Sequence, residues 1–265
     1  MATISQSDPT RSVSGGRVFE RVFATVRHNP GPTVVLAFLF GAVPGVLITY
    51  LMRQVQPEIL AQQGLGMGFY ALSLISWILG MIVSALTQAA LTRSTVAEAE
   101  GRKASLGECL QAGLAVLVPL IFLSILLAIG VGVGFLLLIV PGVILYCMWS
   151  VAVPSLVEER RGVFGSFGRS RELTDGAKWK VFGIMLVVLV VYWLLSAVTG
   201  MFMMSDLDAA NPQAPFQMST GFLVISLAVG TLVNLFWGLV QASLYVELRN
   251  WKDGPSSAKL AQVFS

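Results

Sequence analysis

From Ala112 to Val157 the chain carries no Asp, Glu, Lys, Arg or His. That run is about twice the ~20 apolar residues an α-helix needs to cross the hydrocarbon core of a bilayer. In hydrocarbon every backbone polar group has to bond within the protein, so such a run must be helical. Midway lies Gly130-Val131-Gly132-Val133-Gly134, where the conformational freedom of glycine predicts a turn between two helices. The run therefore reads as two spans, 112–129 and 131–153.

Four further segments are long and apolar enough to cross: 33–51, 67–91, 181–203 and 221–246. Hydrophobic residues make up 55% of the chain and charged ones only 12%, against about 25% charged in soluble proteins. The expected fold is all-α, a six-helix membrane bundle over residues 16–250. A disordered N-terminal tail (1–15) and a C-terminal tail (251–265) flank it. About thirty polar or mixed residues precede the first apolar run, so no cleavable signal peptide is expected.

The net charge of +3 carries information through its placement. Four Lys or Arg precede the first span, three lie between spans two and three, six between spans four and five, and three after span six. Only Arg53 lies on the other side. Positively charged loops stay in the cytoplasm, which predicts cytoplasmic termini and an outward-facing loop around Asp206 and Asp208. This distribution gives no case for nucleic acid binding. Cys109 and Cys147 are far apart, which points to buried thiols and not to a disulfide framework or a zinc site.

Three segments on the cationic side have helical apolar stripes. The first carries Val18, Phe19, Val22, Phe23 and Val26, with Arg17, Arg21 and Arg27 off the stripe. The second has Leu106, Leu110 and Leu114. The third has Val163, Phe164, Phe167 and Leu173 beside Arg169 and Arg171. Such helices either lie among lipid headgroups or form a collar packed on the bundle. Membrane lipids and other membrane proteins are the expected partners.

Phe38-Leu39 with Val43-Pro44-Gly45-Val46 in span one recurs at identical spacing as Phe135-Leu136 with Val140-Pro141-Gly142-Val143 in span four. Proline removes a backbone donor, so both spans are expected to kink near their middle, at Pro44-Gly45 and Pro141-Gly142. Interrupted helices in inverted halves are a transporter feature. Asn234 and Gln241, seven residues apart on one face of span six, need polar partners and complete the candidate ligand positions. At the cationic end, Glu158 and Glu159 follow span four and Glu247 and Arg249 follow span six, so acids and arginines from different loops are candidates for pairing across that face, and Trp179 between Lys178 and Lys180 is a candidate interfacial anchor.

Catalytic chemistry finds no constellation. The single histidine is His28, no serine in a span has a base in reach of its pattern, and no acid lies in the middle of a span. Neither catalytic, metal nor cofactor residues are assigned.

From Pro141-Gly142 through Pro154, Glu158, Ser170, Leu173-Thr174, Gly176 and Trp179, and again at Leu244-Tyr245-Val246-Glu247-Leu248-Arg249, the sequence resembles the YciC-like family. That family is related to the membrane domain fused to some glycerophosphoryl diester phosphodiesterases, whose catalytic domain has no counterpart here. The resemblance implies a multi-pass protein of the bacterial inner membrane. Together these readings give a non-enzymatic membrane protein serving envelope or lipid homeostasis, by binding lipid or supporting a complex. A small-molecule or lipid transporter working through Pro/Gly-broken helices is the alternative.

Overall fold

The structure, a computed structural model, describes residues 12–63, 66–205 and 219–254. The expected loop with Asp206 and Asp208, and most of both expected tails, lie outside the described residues. In chain order the helices are α1 (Gly15–His28), α2 (Pro30–Val35), a π-helical segment (Leu36–Ala42), α3 (Val43–Gln63), α4 (Met67–Ala99), α5 (Leu106–Ala115), α6 (Leu117–Leu137), α7 (Ile139–Met148), α8 (Ala152–Glu159), α9 (Gly162–Thr174), α10 (Lys178–Ser205) and α11 (Thr220–Asp253). They supply six stretches long and apolar enough to cross a membrane: Pro30–Val55, Met67–Ala99, Leu117–Leu137, Ile139–Glu159, Lys178–Phe202 and Thr220–Asp253.

The two longest helices, α4 and α11, pack along each other at the centre. Small side chains make this approach close: Ala89, Ala90 and Ala97 on α4 and Gly238, Ala242 and Ser243 on α11 are buried. Between lipid-solvated helices the hydrophobic effect gives little drive, and close van der Waals contact replaces it. A Cβ on Gly238 would lie 2.6 Å from Leu91 Cδ1. Burial is concentrated at one end of the bundle, where Leu91, Val96, Leu173, Val181, Leu244 and Tyr245 are fully enclosed. We call this the collar end, because α1, α5 and α9 wrap it.

Each collar helix packs its stripe inward and leaves one apolar side chain out. Val18 and Val22 of α1 are buried, and Phe19 stacks on Phe236 with ring centroids 6.1 Å apart. Phe23, placed by periodicity on the same stripe, is instead 69% exposed. On α5, Ser105 caps the helix by accepting from the Glu108 N–H, and Leu114 is exposed. In α9, Leu173 is buried, Phe167 sits edge-on to Trp149, and Phe164 is 80% exposed. Order also starts before α1: Val13 is buried, and Ser14 N–H donates to Glu247 at 3.2 Å. Val13 and Ser14, within the expected N-terminal tail, therefore pack on the bundle, and α11 extends to Asp253, into the expected C-terminal tail.

The division of the long apolar run needs correction. Gly130, Gly132 and Gly134 are helical, and α6 continues through them to Leu137. One extended residue, Leu138 (φ −164°, ψ 153°), separates α6 from α7. An open glycine turn would leave backbone groups unbonded in hydrocarbon. The glycines instead let the two helices touch: a Cβ on Gly134 would lie 2.9 Å from Gly142 Cα, and one on Gly130 would lie 2.5 Å from the Trp149 ring.

The Pro-Gly repeat does not survive as a pair of equivalent breaks. Pro141 and Gly142 stand in the first turn of α7, where an N–H has no partner to lose. Span four is interrupted further on, between α7 and α8, at Trp149, Ser150 and Val151. In span one the expected distortion is present, as the π-helical segment immediately before Pro44. Widening the helix there relieves the clash between the proline ring and the preceding turn.

Candidate functional site

The two interruptions share a chemical logic. Pro44 has no N–H for the carbonyl of Phe40, four residues earlier, and Thr87 Oγ1 of α4 lies 2.8 Å from that oxygen as a donor. The same hydroxyl has the Val83 carbonyl as its other acceptor at 2.9 Å. Pro154 likewise frees the carbonyl of Ser150. There the Gln241 amide, with its oxygen and nitrogen assigned from the groups around them, donates at 3.2 Å and accepts from the Trp237 indole N–H at 3.0 Å, beside the Gln88 amide. The Met148 carbonyl at the same break accepts from Ser170 Oγ of α9 at 2.8 Å. Side chains from α4, α9 and α11 thus hold both broken spans, because an unbonded carbonyl in this environment is costly.

Beside the second break lies a cavity of about 460 Å³ between α4, α6, α7 and α11. Trp77, Trp149 and Trp237 form its walls, with Gln88, Gln241 and Ser124 presenting polar atoms. Trp77 is 57% exposed, so the cavity opens at that rim. Asn234 does not join it. Although it shares a helix face with Gln241, Asn234 lines a second cavity of about 470 Å³ with Gly45, Ser196 and Ser226, between α3, α10 and α11. Its amide donates to the Gly230 carbonyl of its own helix at 2.8 Å, and its side chain fills the space over Gly41. The sequence candidates Gln241, Asn234 and Gly45 therefore divide between two cavities. Trp149, Ser150 and Pro154, not singled out for a site, define the break beside the first. The signal for them was the proline four residues after Ser150.

At the collar end the charged candidates pair with groups on other segments. Glu158 of α8 meets Arg93 of α4 at 3.2 Å, and Arg93 also holds Glu108 of α5 at 2.8 Å. Arg102 reaches the same Glu108 at 2.8 Å. These guanidinium bonds, Arg102's first, hold the Glu108 carboxyl below its usual range. Glu159 accepts from Arg169 at 2.8 Å and from the Tyr245 hydroxyl at 3.0 Å, and Arg169 continues to Asp253. Burial opposes the Arg169 charge, but these acids outweigh it and raise its pKa. Glu247 bonds Arg17 of α1 at 2.5 Å, while Arg249 lies over the Tyr245 ring at 5.5 Å. Acids and arginines from different segments thus meet across this face in three separate clasps, each joining a collar helix to a span.

Other cations stay outside. Arg27, Lys103, Arg160, Arg171 and Lys180 are exposed, and none forms an ion pair among the described residues. Trp179, at the start of α10, is 85% exposed and edge-on to Phe182.

These features define a multi-pass α-helical membrane protein with a braced, twice-broken bundle and a clasped collar. Residues 104–248, from α5 through most of α11, match the family model described as "Domain of unknown function (DUF7847)", and the chain belongs to that family. No curated protein and no solved structure matches it.

Proposed function

We propose that this is a non-enzymatic integral protein of the bacterial inner membrane that holds lipid at the cytoplasmic leaflet, in the service of envelope or lipid homeostasis. One observation carries this reading: the collar and the start of α10 expose five cations that form no ion pair among the described residues, together with the apolar side chains of Phe23, Leu114, Phe164 and Trp179. Cations suit anionic headgroups, and the apolar side chains suit the acyl boundary just below them. The charge bias of the sequence supports cytoplasmic termini, and hence a cytoplasmic collar. The resemblance to the YciC-like family supports the bacterial inner-membrane setting. Purified protein, analysed by native mass spectrometry with an equimolar mixture of phosphatidylglycerol and phosphatidylcholine, is expected to retain the anionic lipid. Replacing Arg27, Arg160, Arg171 and Lys180 by Gln is expected to abolish that preference. Equal retention of both lipids by the unaltered protein would refute the reading.

The breaks in spans one and four favour a second reading, a transporter that flexes at both. Reconstituted protein would then move fluorescent phospholipid across vesicles, and Pro44→Ala with Pro154→Ala would stop it while the protein stays folded. Undiminished movement in the folded double variant would exclude this reading.

A further inference from the structure

We propose that the cavity beside the broken fourth span binds a neutral, ring-bearing lipophilic molecule with carbonyl acceptors, of the quinone class. The inference goes beyond the collar and does not depend on it. The cavity's lining includes no Asp, Glu, Lys, Arg or His. A charged ligand held there would lack a counter-ion at a depth where an isolated charge is expensive. Its volume of about 460 Å³ falls within the ~300–1,000 Å³ common for small organic ligands.

The polar atoms of the lining select further. Some hydroxyls within these spans bond back to their own helix, Ser73 to Phe69, Thr92 to Gln88, Thr95 to Leu91 and Thr231 to Leu227, while those of Ser94, Ser155, Ser226 and Ser243 are buried without a partner among the described residues. Ser124, 7% exposed, is likewise without a hydrogen-bond partner among the described residues, and it stands on the wall of this cavity. The Tyr146 hydroxyl, also on the wall, lacks one as well. Two hydroxyl donors without acceptors, on a wall that carries no charged group, suit a ligand that brings acceptor oxygens. Three indole rings around them suit a flat ring. The opening at Trp77 gives an apolar tail a way out into the bilayer. Quinone carbonyls on a ring with an alkyl chain meet all of these conditions.

Gly80 gives the proposal a direct test. It lines the cavity, and a Cβ added there meets nothing within 4 Å, so the position admits a side chain and Gly80→Phe is the variant chosen to fill the space. The full chain in detergent micelles is mixed with 2-decyl-1,4-benzoquinone, with decylbenzene as the carbonyl-free control. Bound probe is read by native mass spectrometry and by quenching of tryptophan fluorescence. The expected result is one retained quinone, saturable quenching and no retained decylbenzene. G80F is expected to lose the adduct, and Ser124→Ala to weaken it about three- to tenfold, the effect of one neutral hydrogen bond. Absence of the adduct, equal retention of decylbenzene, or an undiminished adduct in folded G80F overturns the proposal. Should G80F fail to fold, S124A carries the test alone, and unchanged affinity in S124A overturns it. Anionic lipid retention by the collar is measured without quinone, so failure of one proposal is distinguishable from failure of the other.

Discussion

Thr87 illustrates how single polar side chains keep this bundle together. Its hydroxyl reaches across from α4 to the carbonyl that Pro44 leaves unbonded, and it is almost completely buried. Thr87→Val keeps the shape but removes the donor, leaving the Phe40 carbonyl unsatisfied. A loss of about 1–3 kcal/mol is expected, read as a lower unfolding midpoint in detergent, with Thr87→Ser restoring most of it. Neither this contact nor the Gln241–Ser150 bond was legible in the sequence. Proline marks the carbonyl that will lack a partner, four residues back, but the partner comes from a distant helix whose angular position the sequence pattern does not specify. The same limit explains the charged clasps. Periodicity and charge bias place Arg17, Glu158, Arg169 and Glu247 at one end of the bundle, yet which acid meets which arginine depends on the rotation of each helix.

At the scale of elements, six apolar runs were readable because crossing a bilayer demands length and hydropathy, and both are properties of sequence alone. Where one run ends was harder. Glycine serves equally as a turn and as a contact surface, and in Gly130–Gly134 the second use prevails. The α6–α7 hairpin makes this measurable. A Cβ at Gly142 would sit 2.8 Å from the backbone nitrogen of Phe135, which cannot swing aside as a side chain does. Gly142→Ala is expected to cost about 1–3 kcal/mol by forcing the two helices apart. Gly132→Ala, whose Cβ meets nothing within 4 Å, is expected to cost nothing or to stabilise through helix propensity. Equal melting temperatures for the two variants would contradict the packing described.

The whole molecule is asymmetric along its long axis: enclosed and charge-clasped at the collar, looser toward the other end. Acid should therefore act first at the collar. Glu108 has a folded pKa below its ordinary value of 4.5, chiefly through Arg102 and then Arg93. A depressed carboxyl pKa contributes stability that is present above the ordinary value and is lost as pH falls from there through the folded value. The melting temperature is expected to decline as pH drops below about 4.5, and Glu108→Gln to flatten part of that decline. An identical pH profile for the variant would show that the clasp contributes nothing to folding.

The junction at Leu138 bears on how the protein is made. One residue joins α6 to α7, and Leu136, Leu137, Leu138, Ile139 and Val140 around it are apolar and exposed. Elsewhere a nascent chain must push a hydrophilic loop through the membrane before the next helix can return. Here no such loop exists, so no hydrophilic segment has to cross between the two helices, and their joint insertion as a hairpin is the expected outcome.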